Sequence, residues 1–245
     1  MKQPRIAIPE PTSGDTAYNE RSWPQYAEAV KASGGVPVKV LLSATQSEVA
    51  RLVSSCEGVL LPGSGADVNP EKYGQEPIPE CHVADPAREA VDELLMQDAA
   101  NLHKPLFGIC YGFQAWNVWR GGVLIQDLTT GVNHRPGREV REAHRVAVSD
   151  GSKIEAITGS NNLVVNSSHH QGLEQPGDGL VVVGRSVEDG LIEAVEGTEE
   201  QFVIAVQWHP ERSFDYDPAS KALFSAFVKA AAEWQPRVIR ESVAP

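Results

Sequence analysis

Four short apolar runs, at residues 6–9, 36–42, 58–61 and 106–109, punctuate the first half of the chain, and the stretches between them repeat at helical spacing. Each run has strand length; the first closes on Pro9 and the third is followed by the glycine-rich turn Pro62-Gly63-Ser64-Gly65. Trp23, Ala27 and Val30 mark a helix that Gly34 and Gly35 stop. Thr45 followed three residues later by Glu48 is a capping-box signal for a helix carrying Val49, Leu52 and Val53. Asp85-Pro86 supplies the cap and first position of a helix bearing Val91, Leu94 and Leu95, which Lys104-Pro105 ends. The fourth run leads directly into a helix predicted to reach Arg120. This alternation predicts an α/β fold with a mostly parallel, flavodoxin-like central sheet and helices on both faces, because parallel neighbours need a crossover and a helix supplies it.

Beyond about residue 120 the pattern changes. Residues 144–149, 163–166, 180–184, 191–196 and 202–207 read as short strands with few helices between them. Alternation is cleanest in Leu191-Ile192-Glu193-Ala194-Val195-Glu196, which predicts a half-exposed antiparallel strand. A last helix begins near Asp217-Pro218 and aligns Leu223, Phe227 and Ala231. With no repeat, low-complexity tract or linker, residues 1–245 read as a single domain with a smaller antiparallel element in its second half.

Charge and cysteine usage narrow the function. The net charge is −12, and phosphate binding needs a clustered positive surface, so a nucleic-acid partner is not expected. The basic residues between Arg135 and Arg141 are interrupted by acids and read as solvated loop. No stretch approaches the roughly 20 apolar residues of a membrane span, and the segment after Met1 has no signal-peptide core. A cytoplasmic protein away from membranes is expected. Cys56, Cys81 and Cys110 are too few and too scattered for a disulfide framework or a zinc site. In a reducing compartment one of them is free to act as a working thiol.

Cys110 is placed for that task. Gly108-Ile109-Cys110-Tyr111-Gly112 joins a buried strand to a helix, and a side chain on so sharp a turn projects above the sheet edge. Small residues at 108 and 112 let the two backbones approach, and the helix N-terminus is expected to lower the thiol pKa. A thiol nucleophile also needs a base, and the base needs an orienting group. Gln207-Trp208-His209-Pro210-Glu211 follows another strand, so His209 can serve as base and Glu211 can hold its imidazole. His169-His170 lacks carboxylate or cysteine partners at metal spacing, so no metal is expected. Residues 166–171 are instead expected at the rim, with Ser168, His169 and His170 as candidate substrate-binding residues. The turn Gly63-Ser64-Gly65 lacks the Gly-Lys-Ser/Thr ending of a phosphate-binding loop.

Together, Gly-Ile-Cys-Tyr-Gly-Phe-Gln (108–114) and the distant His209-Pro210-Glu211 resemble the class I glutamine amidotransferase superfamily. Residues 117–127, Asp67-Val68-Asn69-Pro70 with Tyr73-Gly74, and residues 165–171 are similar to its γ-glutamyl-γ-aminobutyrate hydrolase branch, the C26-type peptidases. The resemblance implies a Cys110–His209–Glu211 triad and oxyanion-hole donors at the backbone N–H groups of Tyr111 and Gly65. It also implies that Gln114 touches the glutamyl end of a small γ-glutamyl substrate, hydrolysed through a thioester without a cofactor. Two alternatives stand beside this reading: a glutaminase unit passing ammonia to a synthetase, and a non-catalytic binding protein on the same fold. A homo-oligomer is compatible with either.

Overall fold

The computed structural model describes residues 3–236. Its strands are β1 (Arg5–Pro9), β2 (Val36–Val40), β3 (Gly58–Leu61), β4 (Leu106–Ile109), β5 (Val123–Ile125), β6 (His144–Val148), β7 (Asn162–Val165), β8 (Gly172–Gln175), β9 (Leu180–Ser186), β10 (Ile192–Gly197) and β11 (Val203–Val206). The helices are α1 (Thr16–Ala32), α2 (Gln46–Ser54), α3 (Pro86–Leu102), α4 (Tyr111–Trp119), α5 (Lys153–Thr158), α6 (Pro210–Ser213) and α7 (Pro218–Glu233).

One sheet carries all of these strands. Its main path runs β2-β1-β3-β4-β11-β10-β9-β6-β7. Neighbours from β2 to β11 are parallel, whereas β11–β10, β10–β9, β9–β6 and β6–β7 are antiparallel. The antiparallel element therefore extends the parallel sheet edgewise. Strand pleating sends alternate residues to opposite faces. Ile6 and Ile8 pack with Tyr26 and Val30 of α1 and with Phe224 and Phe227 of α7. Ala7 packs on the other face with Val49 and Val53 of α2 and with Val91 and Leu95 of α3.

The caps read from the sequence form. Thr45 Oγ1 accepts the Glu48 N–H, and Glu48 accepts the Thr45 N–H in return. Asp85 Oδ1 accepts the Arg88 N–H, with Pro86 opening α3.

The expected half-exposed strand at 191–196 is corrected. It is antiparallel, but β10 is buried on both faces, Glu193 and Glu196 included. The alternation misleads because both carboxylates have interior tasks. Glu196 accepts the N–H groups of Lys153 and Ile154 at the start of α5, and Glu193 faces a group of histidines. Strands β5 and β8 had no legible signal; each is short, and they pair with one another off the main path.

Candidate active site

Sheet order assembles the site. In open α/β sheets ligands bind outside the carboxyl ends of the strands. Strand β4 lies between β3 and β11, so three chain segments leave the same edge side by side. They are the glycine turn after β3, Cys110 after β4 and the 207–211 segment after β11.

Cys110 occupies a backbone conformation of φ 53°, ψ −106° between β4 and α4. For a residue with a Cβ this costs of order 1–3 kcal/mol, and it persists because the surroundings over-determine it. The Cys110 N–H donates to Val206 O at 2.9 Å, and its carbonyl accepts the Gln114 N–H at 3.1 Å. Beneath the turn, a Cβ on Gly112 would stand 2.1 Å from Leu61 O. Gly112→Ala must therefore push β3 and α4 apart. A loss of about 3 kcal/mol in folding stability is expected, the upper end of ordinary overpacking costs. Urea unfolding checks this by a lower midpoint at unchanged slope; an unchanged midpoint would mean the close approach is not required.

His209 is buried, and its Nδ1 lies 2.8 Å from Glu211 Oε1. A carboxylate only accepts, so Nδ1 carries the proton and Nε2 presents its lone pair. That Nε2 is buried without a hydrogen-bond partner. Asn166 clamps the backbone at this point: the His209 N–H donates to Asn166 Oδ1 at 2.9 Å, and Asn166 Nδ2 donates to His209 O at 2.8 Å. A Cβ on Gly63 would meet His209 Cε1 at 3.1 Å and Cys110 Cβ at 3.6 Å. Glycine at 63 thus leaves cysteine and histidine room to face one another.

The electrostatics are those of a dry site. Burial pushes the Cys110 thiol up to about 12, although Arg212 and the Tyr111 N–H pull the other way. The lowered thiol pKa expected from the helix N-terminus is therefore overruled by desolvation. Burial also lowers the His209 imidazole, helped by Arg212 and opposed by Glu211. Burial works to raise Glu211, but His209 and Arg212 overcome it and hold the carboxyl below its ordinary value. Both shifts favour a thiol and a neutral imidazole at rest.

Cys110 and His209 open into a cleft of about 240 Å³. Gly65, Tyr111, Gln114, Ser168, His169 and His170 line it as well. Within the glycine turn the Gly63 N–H is committed to the Tyr26 hydroxyl, and the Ala66 N–H to Ser64 Oγ. Gly65 lies exposed between them with open space where a side chain would stand. Gln114 is buried, and its Nε2 donates to Gln171 O and Gln207 Oε1, so the amide braces the cleft floor. His169 and His170 part company. His170 is held between Asp67 and Asp127, whereas His169 turns to Gln171 O. The Asp67 and Asp127 hydrogen bonds raise the His170 pKa against its burial.

Five residues escape a sequence reading. Asn166 falls within the expected rim, but its side chain grips the His209 backbone. Arg135, Arg138 and Arg212 also line the cleft, the first two from the stretch whose mixed charges read as solvated loop. Arg88 is wholly buried under the site: it pairs with Asp92, donates to Pro11 O and Pro62 O, and lies 4.7 Å from the Tyr111 ring centre. An arginine on a helix ordinarily reads as surface, so only its partners disclose the task.

Known proteins place this architecture. The peptidase C26 family profile matches residues 9–211. A Mycobacterium tuberculosis protein, provisionally named a glutamine amidotransferase, is 37% identical over 216 residues, covering 86% of this chain and 68% of its own length. The γ-glutamyl-γ-aminobutyrate hydrolase of Escherichia coli K12 is 33% identical over 220 residues, covering 84% of each chain. A solved structure from Thermoplasma acidophilum, provisionally assigned as one component of a GMP synthase, superposes with a TM-score of 0.65 over 96% of both chains at 15% identity. That likeness speaks for the fold. No helix among the described residues is long and apolar enough to cross a membrane. With the profile spanning most of the chain, this protein belongs to the peptidase C26 family and is a glutamine amidotransferase-like hydrolase.

Proposed function

We propose that the chain hydrolyses γ-glutamyl amides of small carboxylate-bearing amines, with γ-glutamyl-γ-aminobutyrate as the reference substrate. The observation that carries this reading is the shared cleft of Cys110 and His209, in which the buried Nε2 lacks a partner while Nδ1 is held by Glu211. Sulfur attacks the side-chain carbonyl as His209 takes the thiol proton. The Tyr111 and Gly65 N–H groups stabilise the oxyanion. Collapse breaks the C–N bond, and His209 returns the proton to the departing amine. Water, deprotonated by His209, then cleaves the thioester and releases glutamate. The reaction as written draws on no cofactor.

The cleft's cations support an acidic leaving group. Burial lowers the Arg138 pKa, and Arg212 and Arg21 crowd it further. A carboxylate on the amine would relieve that crowding. The E. coli relative, named for a γ-aminobutyrate conjugate, is consistent with such a tail.

Steady-state kinetics on the isolated protein test the proposal. Expected kcat/KM is greatest for γ-glutamyl-γ-aminobutyrate. The butylamine analogue, which lacks the terminal carboxylate, should be slower by about 10–100-fold, the range of one charge-assisted hydrogen bond. Free glutamine should be a poor substrate. Preference for glutamine, or activity only after a second protein is added, would overturn the proposal in favour of ammonia supply.

A further inference from the structure

Beside the cleft, His134, His144, His169 and Glu193 form a buried group that the proposed hydrolysis does not use. Glu193 has no exposure, and neither of its carboxylate oxygens has a hydrogen-bond partner in acceptable geometry. Three imidazole nitrogens surround one of those oxygens. His144 Nε2 stands 3.3 Å from Glu193 Oε1, His169 Nε2 3.7 Å and His134 Nδ1 3.8 Å. The trio of His134, His144 and Glu193 offers ligand atoms that all lie within 4.8 Å of one another. His169 lies outside that trio, with its Nε2 3.7 Å from Glu193 Oε1.

The far sides of two rings determine what faces the carboxylate. His134 Nε2 lies 3.0 Å from Asp189 Oδ2, and His169 Nδ1 lies 2.8 Å from Gln171 O. A carboxylate and a carbonyl only accept hydrogen bonds, so those two nitrogens carry the protons. With both rings neutral, His134 Nδ1 and His169 Nε2 turn lone pairs toward Glu193 Oε1, and the Ser167 hydroxyl lies 3.3 Å from the first of them. Lone pairs converging on a buried carboxylate leave a place for a positive charge, which a proton on His144, favoured by Glu193 against its burial, or a bound metal ion fills. Imidazoles that bind metal ions ordinarily have their outer nitrogens held in this way, by a carboxylate or a carbonyl. Bonds of about 2.0–2.1 Å in a tetrahedral site put neighbouring donors about 3.4 Å apart; the His144–Glu193 spacing of 3.3 Å already matches, and the 3.7 and 3.8 Å spacings of His169 and His134 would contract by a few tenths of an ångström on binding.

We propose that His134, His144, His169 and Glu193 bind a divalent cation of the zinc class in a closed, structural site. Three imidazoles and one carboxylate suit such an ion. The ion would tie β6, β10 and the 166–171 segment to the stretch that carries His134 and, next to it, the cleft-lining Arg135. It takes no part in the chemistry at Cys110. The sequence expectation of no metal rested on the scattered cysteines and on His169-His170, whereas the proposed ligands lie far apart in the chain.

The test uses the whole protein, stripped with a chelator and then titrated with Zn²⁺ or Co²⁺ alone. One equivalent should bind, the Co²⁺ form should show the intense visible absorption of a tetrahedral site, and the thermal midpoint should rise. Asp189→Asn keeps an acceptor for His134 Nε2 and removes only the charge, so the fold should survive while affinity falls about 10–100-fold. His144→Gln should lose the site. His170→Asn is the control for the other histidine–carboxylate group, formed with Asp67 and His82, and should bind as the parent does. No stoichiometric binding, or binding lost in His170→Asn but unchanged in Asp189→Asn, would overturn the assignment. Metal content is read without reference to turnover, so failure here leaves the hydrolase reading untouched.

Discussion

Cys110→Ala should lower kcat/KM for a γ-glutamyl amide by at least about 10⁴-fold, equivalent to some 5.5 kcal/mol of transition-state stabilisation. Removing a nucleophile leaves only binding and the oxyanion donors, and comparable triads lose about 10⁶ in kcat. The fold should survive. Alanine deletes a single sulfur atom at a site that opens onto the cleft, and the backbone bonds to Val206 and from Gln114 do not involve the side chain. Because burial holds the thiol up to about 12, general thiol reagents should react slowly at Cys110. A glutamine-shaped alkylating analogue, drawn into the cleft beside His209, should label it stoichiometrically. Turnover retained in the alanine variant with a normal thermal midpoint would remove the thioester from the mechanism.

His209→Asn should cost about as much, because the variant has no imidazole beside Cys110 to take the thiol proton. The wild-type pH profile carries the finer prediction. A base works only when neutral. Burial and Arg212 lower the His209 pKa, so kcat/KM should hold steady below the ordinary imidazole value of about 6.5 and fall only at more acid pH. A thiol held up to about 12 should add no alkaline limb under working conditions. A resting thiolate–imidazolium pair would behave oppositely, with a distinct alkaline limb as the imidazolium loses its proton. Glu211→Gln removes the charge that opposes the lowering, so the acid limb should move further down while the plateau falls about 10²–10⁴-fold. A bell-shaped wild-type profile centred near neutrality would show that the pair rests ionised.

Why these three residues meet at all was largely legible in the linear chain. The four apolar runs and their caps define β1 to β4 with the helices between them, because strand length and helical period are local properties. The turn at 108–112 carried its own signature: glycines where two backbones must touch, around a cysteine between strand and helix. His209-Pro210-Glu211 followed a recognisable strand. The sequence thus determined the parallel half of the sheet, its carboxyl-terminal edge and the residues delivered there.

The tertiary structure alone decided how those residues are electrically set. The alternation in 191–196 cannot distinguish a glutamate facing water from one facing three histidines, and β10 turned out buried on both sides. Arg88 carries no signal in the linear chain; Asp92, Pro11 and Pro62, brought around it by the fold, give it its partners. Asn166 came to His209 from 43 residues away, and the thiol expected to be acidic is held neutral by burial. Period and local spacing record which way a side chain points relative to its own strand or helix. The charge state of a group depends on what distant segments bring against it and on the water they exclude.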